Sequence, residues 1–199
     1  MDIKDSDLRL LKMLARDYKN IPEANTEMIN LKAIQNLPKG TEYFYSDIHG
    51  EYEAFDHLLR SASGTIKRKI DECFPELEES ERRQLATIIY YPSEKLAYLH
   101  KQKKTSKKFY RNTFKRLLVI LQDVSFKYTR SYVRKQFPKD YAYIIEELLG
   151  SNTDIYSSFS YQDNIIDSII DSKEADRYII ELAHLISNLS MYKIHILGD

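Results

Sequence analysis

Tyr43-Phe44-Tyr45-Ser46-Asp47-Ile48-His49-Gly50 decides the reading of this chain, together with its counterpart Ile194-His195-Ile196-Leu197-Gly198-Asp199 far downstream. Each is a short apolar run that ends in a small residue and an aspartate. A carboxylate at a strand end is held by the sheet yet points into the crevice above it. In Asp47-Ile48-His49 the skipped residue returns the chain to the same side, so a carboxylate and an imidazole can share one metal ion. Oxygen and nitrogen donors together suit Mn²⁺, Fe²⁺ or Zn²⁺ better than Ca²⁺. Gly50 permits a sharp turn without a Cβ clash. A second strand-end carboxylate, Asp199, could bridge to a second metal about 3.5–4 Å from the first, the arrangement of two-metal hydrolytic centres.

Outward from these motifs the chain is helical. Leu8, Leu11, Leu14, Ala15 and Tyr18 recur at spacings of three and four, which predicts a helix over 6–19 capped by Ser6 or Asp5. Pro22 suits a first helical position and predicts a second helix towards Gln35, broken by Leu37-Pro38-Lys39-Gly40. Strand 41–46, the Asp47–Gly50 turn and a helix from Glu51 with Phe55, Leu58 and Leu59 on one side make a strand–turn–helix unit. Helical periodicity then dominates near 64–73, 80–102, 105–136, 138–149, 162–171 and 173–190, and strand character returns at 192–197. Tyr90-Tyr91 before Pro92 marks a helix end, and 105–136 is long enough to break near Asp123-Val124-Ser125. Three parts are expected: 1–63 with the N-terminal helices and the first strand–turn–helix, 64–190 as a helical insertion, and 191–199 as a second core strand. The fold class is α/β with an incomplete sheet layer and a large helical insertion, predominantly α-helical by residue count. An incomplete sheet should leave an unpaired edge and exposed apolar surface.

Composition narrows the function classes. The 199 residues hold 30 basic and 30 acidic side chains, so no global field favours nucleic acid or an anionic membrane. One cysteine, Cys73, excludes an internal disulfide framework, suits a reducing cytoplasm and is expected to be a buried small hydrophobe. No apolar run approaches the roughly 20 residues of a membrane span. Residues 101–116 carry eight Lys or Arg and 71–81 carry six Asp or Glu. These are expected as solvated helix faces that could oppose each other, with a phosphate-bearing effector or a partner surface as the other reading. His195 belongs by alternation with Lys193 and Leu197 and is taken as structural; His57, His100 and His184 are assigned to packing or surface.

The residues from Tyr43 through Phe55, continuing in Leu58-Leu59-Arg60 and Ser63-Gly64, resemble the class III fructose-1,6-bisphosphatases of bacteria, members of the calcineurin-like metallophosphoesterases. Leu8-Arg9-Leu10-Leu11 and Tyr90-Tyr91-Pro92-Ser93-Glu94-Lys95-Leu96 share the resemblance, which therefore includes the helical insertion. The ending at Gly198-Asp199 resembles the start of that family's Gly-Asp-x-x-Asp-Arg-Gly motif. Ser46 stands where the superfamily more often has glycine.

The resemblance implies a metallophosphoesterase-like sheet, Asp47 and His49 as ligands of one metal, and Asp199 as a bridge in a two-ion Mn²⁺ centre. It implies hydrolysis of the 1-phosphate of fructose 1,6-bisphosphate in gluconeogenesis by a cytoplasmic enzyme. The rest of the second motif, a Gly-Asn-His-Glu motif and further histidine ligands lie beyond Asp199, so this stretch is expected to be an N-terminal piece inactive on its own, with no assignable general acid or substrate pocket. Expected partners are a small sugar bisphosphate and neither nucleic acid nor membrane, with a homo-oligomer and an allosteric phosphate-bearing effector left open. Alternatives are a metallophosphoesterase acting on a phosphoprotein or dinucleoside polyphosphate, and a non-catalytic helical binding module.

Overall fold

A computed structural model describes residues 4–150 and 161–198. Among them the chain runs α1 (Asp5–Asp17), α2 (Ile21–Gln35), β1 (Glu42–Tyr45), α3 (Tyr52–Ser61), α4 (Thr65–Cys73), α5 (Glu79–Tyr90), α6 (Pro92–Lys101), α7 (Lys107–Ser125), α8 (Arg130–Lys135), α9 (Ala142–Gly150), α10 (Tyr161–Asp171), α11 (Ala175–Ser190) and β2 (Lys193–Ile196). It is predominantly helical, as expected. The 80–102 segment divides at Tyr91, ahead of Pro92, and the 105–136 segment stops at Ser125, where the sequence predicted a break. The expected loop at 151–158 lies outside the described residues.

Two compact units divide at Lys39 and Gly40. The first holds α1 and α2. Lys4 occupies the N-cap of α1 and makes no side-chain cap hydrogen bond, so the expected Ser6 or Asp5 cap is replaced by a start at Asp5. Helix α2 starts one residue ahead of Pro22, because Asn20 caps it. The Glu23 N–H donates to Asn20 Oδ1 at 2.9 Å, and Glu23 Oε2 accepts from the Lys19 N–H at 2.9 Å, a reciprocal pairing of orphan donors.

In the second unit α11 is the central helix. It packs along α7 and also touches α3, α4, α5, α6 and α10. Its buried positions, Ile179, Leu182, Ala183, Leu185, Ile186 and Leu189, form a stripe too wide for a single neighbour. Helix α7 answers with Phe114, Leu117, Leu118, Ile120 and Leu121, all buried. Thr113 and Ser190 are buried polar residues inside these helices. Each hydroxyl donates to a carbonyl one turn back, Phe109 O at 2.8 Å and Ile186 O at 2.7 Å. The Tyr128 hydroxyl donates to Leu189 O at 3.0 Å, and burial pushes its pKa up to about 12. Cys73 is partly rather than fully buried against this core.

The basic face of α7 does not look toward the acidic 71–81 run, apart from Arg116, which reaches Glu81 at 2.9 Å. It meets α10 instead. Lys107 lies 2.9 Å from Asp171, Arg111 pairs with Asp167 through two hydrogen bonds, and Lys115 lies 2.7 Å from Asp163. Both sets repeat every four residues, so two helices present matching rungs. The Arg111 guanidinium bonded to Asp167 holds that carboxyl below its ordinary 3.8. A depressed folded-state pKa gives stability that is complete above 3.8 and disappears as pH falls through the lower value. Asp167→Asn should therefore lose less stability than the parent between about pH 5 and 2, as read by circular dichroism in acid titrations.

Among the described residues the sheet has two strands, parallel, in the register Glu42↔Lys193, Tyr43↔Ile194, Phe44↔His195 and Tyr45↔Ile196. Tyr43 and Tyr45 are buried toward the helices, whereas Phe44, Ile196 and Leu197 are exposed. Gly40 enters β1 beneath the Tyr192 ring: a Cβ there would stand 2.3 Å from Tyr192 Cβ and Cγ. Gly40→Ala should therefore cost about 1–3 kcal/mol, because the obstructing atoms are the fixed base of the ring rather than its free end. Calorimetric unfolding of the variant measures it, and an unchanged midpoint would contradict the contact.

Candidate metal centre

Parallel pairing has a direct consequence for the two motifs. Both strands point the same way, so the turn after β1 and the segment after β2 leave from the same edge of the sheet. The Leu197 N–H donates to Tyr45 O at 2.8 Å, which carries the alignment one residue past β2, up to Gly198. Asp199 itself lies outside the described residues.

The turn has unusual backbone geometry. Asp47 (φ 53°), His49 (φ 48°) and Gly50 (φ 72°) are all left-handed. Aspartate and histidine enter this region more readily than most residues, yet a non-glycine residue there is uncommon, and such residues gather at binding sites. Gly50 needs its freedom for conformation and not for space, since a Cβ there would meet nothing within 4 Å. The turn is closed by Glu51 N–H donating to Ile48 O at 2.9 Å and Tyr52 N–H to Gly50 O at 2.8 Å, after which α3 begins. Asp47 and His49 are exposed.

A carboxylate and an imidazole on one exposed turn suit a borderline divalent cation chemically. They are an incomplete set. Among the described residues no group of three or more carboxylate, imidazole or thiol side chains is arranged to hold a metal ion.

The other histidines are engaged elsewhere. His195 Nε2 lies 2.9 Å from Glu42 Oε2, and its ring stacks on Phe44 at 4.5 Å, so it braces one face of the strand pair. His57 Nδ1 lies 2.8 Å from the Tyr91 hydroxyl. His100 Nε2 lies 2.7 Å from Asp176 Oδ2, and its Nδ1 is 3.1 Å from Thr105 Oγ1, tying the α6–α7 connection to α11. His184 is exposed on α11. No helix among the described residues is long and apolar enough to cross a membrane.

The family described as Firmicute fructose-1,6-bisphosphatase matches residues 9–199. A fructose-1,6-bisphosphatase class 3 from Clostridium botulinum (strain Loch Maree / Type A3) is 51% identical over 198 residues, 99% of this chain and 30% of the relative. A protein of the same description from Alkaliphilus metalliredigens (strain QYMF) is 50% identical over 195 residues, 98% of this chain and 29% of the relative. The chain thus spans about 30% of the length of the curated relatives it matches. No solved structure matches it. On a match that runs through both motif-bearing strands and the helices between them, the chain belongs to the Firmicute fructose-1,6-bisphosphatase family.

Proposed function

We propose that the full-length protein removes the 1-phosphate of fructose 1,6-bisphosphate to give fructose 6-phosphate and inorganic phosphate, a gluconeogenic step, on a metallophosphoesterase-type sheet. In this reading residues 64–190 are an insertion between the two motif-bearing strands. Asp47 and His49 would hold one cation through a carboxylate oxygen and an imidazole nitrogen, and Asp199 would bridge to a second, with Mn²⁺ the expected ion. When bound, such ions neutralise charge on the phosphoryl oxygens and lower the pKa of water enough to make it a nucleophile near neutral pH.

The observation that carries the reading is the parallel β1–β2 register, which sends two aspartate-bearing segments off one sheet edge in a chain of this family. The left-handed turn contributes by holding Asp47 and His49 out of the sheet, accessible to a charged substrate. In this reading residues 1–199 carry no assignable general acid and only part of the ligand set, so this stretch alone should be inactive.

The test is phosphate release from fructose 1,6-bisphosphate by metal-stripped full-length protein. Turnover should return on adding Mn²⁺ and be absent with residues 1–199 alone. Full turnover in excess chelator, or brisk turnover by residues 1–199, would contradict the reading.

A further inference from the structure

The stretch joining α3 to α4 takes no part in the chemistry above, yet its backbone is as unusual as that of the metal turn. Ala62 (φ 47°), Ser63 (φ 49°) and Gly64 (φ 82°) are three successive left-handed residues, and two of them are not glycine. Such residues persist where the surroundings over-determine them. Part of the cause is local. The Ala62 N–H donates to Leu59 O at 3.1 Å and the Ser63 N–H to Leu58 O at 2.9 Å, the paired bonds of a Schellman termination.

The rest comes from β1. The Tyr45 hydroxyl lies 2.8 Å from Ser63 Oγ, and the Tyr43 hydroxyl lies 2.7 Å from Thr65 Oγ1. Both tyrosines are buried, and Phe55 of α3 meets the Tyr45 ring edge-on at 5.5 Å. Tyr45 is also held at its backbone, where its carbonyl accepts the Leu197 N–H at 2.8 Å. It stands two residues before Asp47, and Leu197 stands two before Asp199. One residue therefore links the helix junction, the end of β1 and the end of β2.

We infer that Tyr45 and Ser63 are positioning residues for the cation centre: the hydroxyl pair sets the height of the β1 end against α3 and against Leu197, and so aims Asp47 and His49. Neither side chain touches the cation or the substrate. The left-handed backbone at Ser63 brings its hydroxyl to the tyrosine, and a buried phenol held at both ends cannot rotate the peptide that leads into Ser46 and Asp47. The inference rests on the metal reading of Asp47 and His49.

The experiment uses full-length protein in five forms: parent, Tyr45→Phe, Ser63→Gly, the double variant and Asp47→Ala. Mn²⁺ titration followed by electron paramagnetic resonance gives affinity, and amide exchange at Leu197 in metal-free protein reports the strand ends independently. Tyr45→Phe and Ser63→Gly should each weaken Mn²⁺ binding about three- to tenfold, less than the 10–100-fold of groups bonded directly to metal ligands, because the hydroxyl pair acts on Asp47 and His49 through the backbone. The double variant should be no worse than either single, and Leu197 should exchange faster in all three. Ser63→Gly also separates aim from stability, because glycine relieves the left-handed backbone: its unfolding midpoint should hold or rise while affinity falls. Binding within twofold of the parent in both singles, with Asp47→Ala unable to bind, would overturn the positioning role alone. Parent-like binding by Asp47→Ala would overturn the metal reading and this inference with it.

Discussion

Asp47→Ala in the full-length protein should eliminate Mn²⁺-dependent phosphate release and weaken Mn²⁺ binding by more than about 100-fold, since even groups that only hydrogen-bond to ligands are typically worth 10–100-fold. The loss has two sources that a second variant separates. Alanine removes the carboxylate, and it also places a residue with no local polar partner at φ 53°, a conformation that costs an ordinary L-residue about 1–2 kcal/mol. Asparagine tolerates that conformation and keeps the shape, so Asp47→Asn should fold like the parent and still lose most of the affinity through lost charge. Metal titration and calorimetry on both variants check this. Parent-like affinity in Asp47→Asn would mean that the turn is architectural and that the chain binds its cation elsewhere or not at all.

Phe114→Ala should be the most destabilising single truncation in the second unit. The residue is 0% exposed, in the middle of α7, the longest helix among the described residues, which packs along α11. Emptying such a position costs about 3–5 kcal/mol, from lost transfer energy plus the cavity left behind. Domain stabilities are of order 5–15 kcal/mol. For a unit of this size the unfolding midpoint should fall by roughly 6–20 °C. Val119 on the same helix is 41% exposed, so Val119→Ala should stay within about 0.5 kcal/mol of the parent. Calorimetry of the two variants side by side distinguishes a packed core from general helix weakening; equal shifts would sink the account.

How much of this was legible in advance differs from element to element. The Asp47–Gly50 segment is legible as a turn, because a glycine closing an apolar run permits one, whereas a metal role for its aspartate and histidine rested on the second strand motif and the family resemblance more than on four residues. The break at Pro92 and the stop near Ser125 follow from local chemistry in the same way. The Asn20 cap was also local, spelled by asparagine followed three residues later by Glu23, but Pro22 drew the prediction one residue too far. The basic run was expected as a solvated face that could oppose 71–81, and that opposition is met only by Arg116 and Glu81 among the described residues. The better signal was spacing: Lys107, Arg111 and Lys115 share a period of four with Asp163, Asp167 and Asp171, whereas 71–81 has no such period. Gly40 under Tyr192 and the left-handed Ala62-Ser63 pair had no local signature. The first depends on a residue distant in sequence, and the second lacks the glycine that usually marks a Schellman end, which here arrives late, at Gly64. Of the candidate site, Asp47 and His49 could be named from the motif, but their supports Tyr45, Ser63 and Leu197 could not.

The β1–β2 pairing also dictates a sequence of events in time. Strand β1 is synthesised before any of α3 to α11, and at about 5–20 residues per second roughly 7–30 seconds pass before β2 follows. In that interval Phe55, Ser63 and Thr65 are already available to Tyr43 and Tyr45. Pairing two strands across so long a separation would be slow if the intervening chain were loose. It is not loose once α7 and α11 have packed, because α11 ends at Ser190 and delivers Lys193 alongside Glu42. The strand that carries Asp47 is therefore made well before the strand that pairs with it, and a lesion in α11 would surface as a failure of that pair to close.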